Sequence, residues 1–116
     1  MIGDLIPTSA EHIETIKSHI PVADIYDQLA EEAAELAQAA NKMARVLRGT
    51  NPTPKTEREA HNSVVEEYTD LVNVAGNVLD IHPDWLVGEY KLYRWAKRIE
   101  RANGINDIRP PIRGEV

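Results

Sequence analysis

The run VADIYDQLAEEAAELAQAANKMARVLR, bracketed by Pro21 and Gly49, decides most of what this chain can become. Ala, Leu, Glu and Gln dominate it, and these residues lose little on entering a helix. Pro21 bars continuation from upstream, and Gly49 offers the left-handed conformation in which helices end. The spacing therefore predicts one long helix from Pro21 to Gly49, and the rest of the fold has to be arranged around it.

Similar punctuation divides the remainder. TSAEHIETIKSHI begins at a Thr8 or Ser9 cap and stops against Pro21. TNPTPK is a loop holding two prolines. Thr56 and Glu59 then form a T-x-x-E capping box that opens EREAHNSVVEEYTDLVNVAGNVLD. After the turn IHP, Pro83 suits the first turn of DWLVGEYKLYRWAKRIERAN, which Gly104 closes. No alternating pattern marks a strand.

The expectation is an all-α fold: a four-helix bundle protomer whose two long helices run antiparallel, with shorter helices flanking them. Each long helix, at about 25 residues and 1.5 Å per residue, is near 37 Å long. The domain is expected over residues 1–104, with an irregular tail over 105–116. With no Phe, two Trp and four Tyr, a bundle of Ala, Val and Leu buries little per chain. Self-association as a dimer or tetramer is expected.

At 116 residues the chain makes one domain. Its 13 Lys and Arg stand against 19 Asp and Glu, a formal net charge of −6, which gives no general affinity for a nucleic acid polymer. Cysteine is absent, so disulfides, thiol catalysis and thiolate metal sites are excluded, and a reducing, cytoplasmic setting is expected. The N-terminal MIGDLIPTSA has neither the basic lead nor the apolar run of a secretory signal. No apolar run reaches the ~20 residues of a membrane span.

Acids sit where each long helix should turn inward. On the first, Ile25, Leu29, Leu36, Met43 and Leu47 make an apolar stripe, and Glu32 occupies the step between Leu29 and Leu36. Glu31 and Glu35 share with it an arc of roughly 100°. Lys42 lies two turns beyond Glu35 on the same side. On the second, Val64, Leu71, Val74 and Val78 form the stripe, Glu67 fills its missing step, and Asp70 is its neighbour. Asn73 and Asn77 extend that polar edge. If the helices pack antiparallel, these acids face each other. Like charges about 5 Å apart repel by roughly 3 kcal/mol at an effective dielectric near 20, so such a group must hold protons or take up cations. Oxygen ligands alone favour Mg²⁺, or Mn²⁺, over zinc.

Other residues carry less. Lys91, Arg94, Arg98 and Arg101 form a basic stripe that can receive phosphate or simply favour the negative end of its own helix. Trp85 and Trp95 read as core or dimer anchors, and Tyr68 shares a packing stripe with Val65 and Val72. His12, His19, His61 and His82 make no metal signature. The Glu-x-x-His of di-iron bundles is missing, and no glycine-rich phosphate loop occurs.

EEAAE on one helix followed by EEYTD on the next resembles the E-x-x-E … E-x-x-D pattern of the all-α nucleoside triphosphate pyrophosphatases. That superfamily includes MazG-like proteins, dimeric dUTPases and phosphoribosyl-ATP pyrophosphatase. The likeness covers roughly residues 22 to 100. It implies Mg²⁺-dependent hydrolysis of a (deoxy)nucleoside triphosphate to the monophosphate and pyrophosphate by a dimer or a dimer of dimers. Carried over by position, Glu32, Glu35, Glu67 and Asp70 are the implied metal ligands, and Glu31 or Glu35 the implied water activator. Lys42, with Lys91 and Arg94, would meet substrate phosphate. The alternative is a non-catalytic partner-binding or assembly module whose acids are a solvated face. It predicts Glu32 and Glu67 turned outward and paired with Arg or Lys.

Overall fold

The computed structural model describes residues 9–52 and 54–104. Every regular element among them is helical: α1 (Ser9–His19), α2 (Val22–Arg48), α3 (Glu57–Val72), a π-helical turn that prolongs α3 (Asn73–Val78), and α4 (Trp85–Ala102). The chain divides into two compact units, one reaching Ile81 and one starting at His82. α1 to α3 belong to the first and α4 to the second. The expected tail over 105–116 and the Thr8 cap lie outside the described residues.

The helix ends follow from local chemistry. Gly49 stands at φ +74° and its N–H reaches Val46 O, closing α2 as its left-handed cap. At the head of α3 the Thr56 hydroxyl accepts from the Glu59 N–H at 3.1 Å, and the Glu59 carboxylate accepts from the Thr56 N–H at 3.0 Å. That reciprocal pair is the capping box read from T-x-x-E. It holds the Glu59 carboxyl below its ordinary range, through the Thr56 backbone N–H first and the Thr56 side chain second.

Two ends differ from expectation. Pro83 does not lie in the first turn of α4. Asp84 caps that helix instead, its carboxylate accepting from Leu86 N and Val87 N, both at 3.1 Å. The second long helix does not stay regular to Asp80. Over Asn73–Val78 it widens, so that the Leu79 N–H bonds Val74 O at 3.0 Å, five residues back. Asp80 then turns to φ +57°, a conformation that Asp tolerates better than most residues.

In the first unit α2 packs against α3, and α1 meets the π turn. The connection over 49–56 is short, and α2 residues 32–35 lie beside α3 residues 67–70. The two helices therefore form an antiparallel hairpin. Ile25 and Ala39 from α2, Ala60 from α3 and Val78 from the π turn are its buried residues, and Leu29, Leu36, Met43, Val64, Leu71 and Val74 are half-buried around them. Leu47, placed by spacing in the same stripe, is 61% exposed, because it lies in the last turn of α2. Trp85 and Trp95 do not enter a core, at 77% and 58% exposed. Tyr68, Val65 and Val72 are likewise exposed.

Candidate metal centre

The hairpin brings four acids together. Glu32 and Glu35 lie one turn apart on α2, and Glu67 and Asp70 one turn apart on α3. Each offers a carboxylate oxygen, and these four oxygens all fall within 4.8 Å of one another. Glu32, Glu67 and Asp70 are half-buried and Glu35 is exposed, so the group lies along the hairpin seam and opens to solvent at Glu35.

Their partners leave capacity for a cation. Glu32 Oε1 accepts from Gln28 Nε2 at 2.8 Å. Glu32 Oε2 and Glu67 Oε2 are buried with no hydrogen-bond partner. A carboxylate oxygen withdrawn from water without a donor is costly. A solvated face with outward Glu32 and Glu67 is not what the hairpin makes. Crowding also raises the pKa of the Glu35 carboxyl. The Glu32 charge is the largest cause, followed by partial burial and by hydrogen bonds to Glu67 that form only when a proton is held.

Oxygen donors at this spacing, two of them unpartnered, fit a hard divalent cation that keeps some of its own water. Nothing in the donor set selects between Mg²⁺ and Mn²⁺. Glu31 is exposed and stands outside the four. Lys42 is half-buried on α2, two turns past Glu35. Lys91 and Arg94 lie on α4, in the second unit, where with Trp95 and Arg98 they line a shallow basic hollow.

Gln28 is the contact that spacing alone did not single out. Its signal was present: it sits four residues before Glu32, where side chains on a helix meet. Beyond Asp70 the polar edge continues as a pair, Asn77 Nδ2 donating to Asn73 Oδ1 at 2.8 Å on the π turn. No helix among the described residues is long and apolar enough to cross a membrane. Compared with protein-family models, with curated proteins and with solved structures, the chain matches none.

Proposed function

We propose that the chain is a Mg²⁺-dependent nucleoside triphosphate pyrophosphohydrolase of the all-α, MazG-like kind, working in the cytoplasm as a self-associating helical bundle. The observation that carries this reading is the convergence of Glu32, Glu35, Glu67 and Asp70, with one oxygen from each inside 4.8 Å. These are the acids that E-x-x-E and E-x-x-D select.

In this reading the four carboxylates hold the divalent ion, which when bound supplies neutralisation of phosphate charge and polarisation of the phosphate oxygens. Glu32 and Glu67, unpartnered at Oε2, are the inner ligands. Glu35, the exposed member of the four, stands at the open edge. It takes the proton of the water that attacks the α-phosphorus, and Glu31 is the other candidate for that role. The α–β anhydride bond breaks, leaving the monophosphate and pyrophosphate. Lys42, half-buried on the same helix as Glu35, supplies positive charge for the triphosphate.

A second reading has its own support. The exposed Trp85, Leu92 and Trp95 of α4, on one face at helical spacing around Gly88, suit a non-catalytic module that docks through this helix. One experiment separates the two. Pyrophosphate release is measured over a panel of eight (deoxy)nucleoside triphosphates with millimolar Mg²⁺. Release from at least one, lost on chelation, is the expected outcome. No release from any of them, together with no effect of Mg²⁺ or Mn²⁺ on melting temperature, overturns the enzyme reading.

A further inference from the structure

The seam that holds the four acids is graded along its length, and both helices carry the same order. On α2, Gln28, Glu35 and Lys42 recur every seven residues, which at 100° per residue keeps them within about 40° of one line. On α3, Ser63 and Asp70 share a line by the same spacing, and Ser63 stands one turn before Glu67. Ser63 carries a cation. Lys55, in the connection before α3, donates from Nζ to Ser63 Oγ at 3.3 Å, and the Ser63 hydroxyl donates to Glu59 O at 3.2 Å. Past Asp70 the polar edge ends in Asn73 and Asn77, bonded to each other.

Because the hairpin is antiparallel, Lys42 and Lys55 come to its loop end and the acids to its middle. Gln28 and the two asparagines come to the far end: since residues 32 and 35 lie beside 70 and 67, Gln28 is about level with Val74. Every Lys and Arg of the hairpin lies between residues 42 and 58, so its far half carries none. Lys42, Lys55 and Ser63 are half-buried, as Glu32, Glu67 and Asp70 are.

We propose that this grading fixes the direction in which substrate lies. Its pyrophosphate part points to Lys42 and Lys55, and its nucleoside to Gln28, Asn73 and Asn77. The inference rests on the pyrophosphohydrolase reading and adds Lys55 to it as a residue that touches the leaving group. Four carboxylates around one divalent ion leave negative charge in excess, which repels a triphosphate unless cations stand beside it. The hairpin offers such cations at the loop end alone. An ammonium has three donors, and Ser63 takes one from Lys55, leaving two for phosphate oxygens in charge-assisted bonds. As the α–β bond breaks, the departing pyrophosphate gains charge, and the two lysines meet it. Amides are neutral and both donate and accept, so they attract phosphate little but match sugar hydroxyls and base edges. The bond between Asn77 Nδ2 and Asn73 Oδ1 leaves Asn73 Nδ2 as a donor and Asn77 Oδ1 as an acceptor, on two exposed residues.

Lys55 also lies near the Glu59 carboxylate, so the test reads ligand binding rather than stability. Affinity for inorganic pyrophosphate at saturating Mg²⁺ is measured by calorimetry, with (deoxy)nucleoside monophosphates as the second probe. Lys55→Met is expected to weaken pyrophosphate about tenfold while the Mg²⁺ melting shift and monophosphate affinity stay unchanged, and Lys55→Arg to recover most of the loss. Ser63→Ala keeps Lys55 but frees its amine, and is expected to weaken pyrophosphate several-fold even if Lys55→Met fails to fold. The Asn73→Ala, Asn77→Ala double variant is expected to do the reverse, weakening monophosphate several-fold and sparing pyrophosphate. Full pyrophosphate affinity in the Lys55 and Ser63 variants overturns the proposed direction. So does an asparagine variant that loses pyrophosphate or keeps full monophosphate affinity. No Mg²⁺-dependent pyrophosphate binding by the unaltered chain overturns the pyrophosphohydrolase reading along with it.

Discussion

Glu35 is where charge, exposure and chemistry meet. Its carboxyl is raised because the Glu32 charge is close, then by partial burial and by Glu67. A carboxyl whose folded pKa exceeds its unfolded value favours folding most while protonated, and that contribution is lost as pH rises through the folded value. Without metal, Glu35→Gln is therefore expected to raise the melting temperature at neutral pH, and the gain should shrink as the pH falls through the carboxylate range. A cation requires the ionised form, so apparent Mg²⁺ affinity should fall as pH drops through the raised Glu35 pKa, as titration by melting shift or calorimetry would show. In the pyrophosphatase assay, Glu35→Gln and Asp70→Asn are each expected to lower turnover by at least about 100-fold with helicity by circular dichroism unchanged. Retained turnover in both variants would overturn the assigned roles.

At the scale of the helices, the capping box is the most separable contribution. Thr56→Ala removes the hydroxyl that accepts from the Glu59 N–H and should cost about 1 kcal/mol, read as a lower denaturant midpoint. Glu59 adds a pH dependence of the ordinary sign. Its lowered pKa gives stability present at neutral pH and lost as pH falls through its folded value. Much of this scale was legible beforehand, because it depends on single residues acting locally: Gly49 ends α2, T-x-x-E opens α3, and Glu32 and Glu67 fill the gaps in their stripes. What escaped was governed by other forces. Pro83 suits a first turn, but Asp84, one residue on, offers a carboxylate to two free N–H groups and takes the cap. The π turn at Asn73–Val78 has no composition of its own. Gly76 weakens the helix there, and the segment meets α1 and α2.

For the whole molecule, a preformed acid group predicts a response to cations. At 100 times its dissociation constant, a metal bound only to the folded state adds about 2.7 kcal/mol, so millimolar Mg²⁺ or Mn²⁺ is expected to raise the melting temperature. The shift should vanish in a Glu32→Gln, Glu67→Gln double variant. The apolar side of the hairpin was half legible. The Val65, Tyr68 and Val72 row was visible as packing, but which side of the hairpin it faces depends on the antiparallel pairing with α2. A cation shared by acids of both helices would tie α2 to α3, so divalent ions should slow amide exchange in the two helices together.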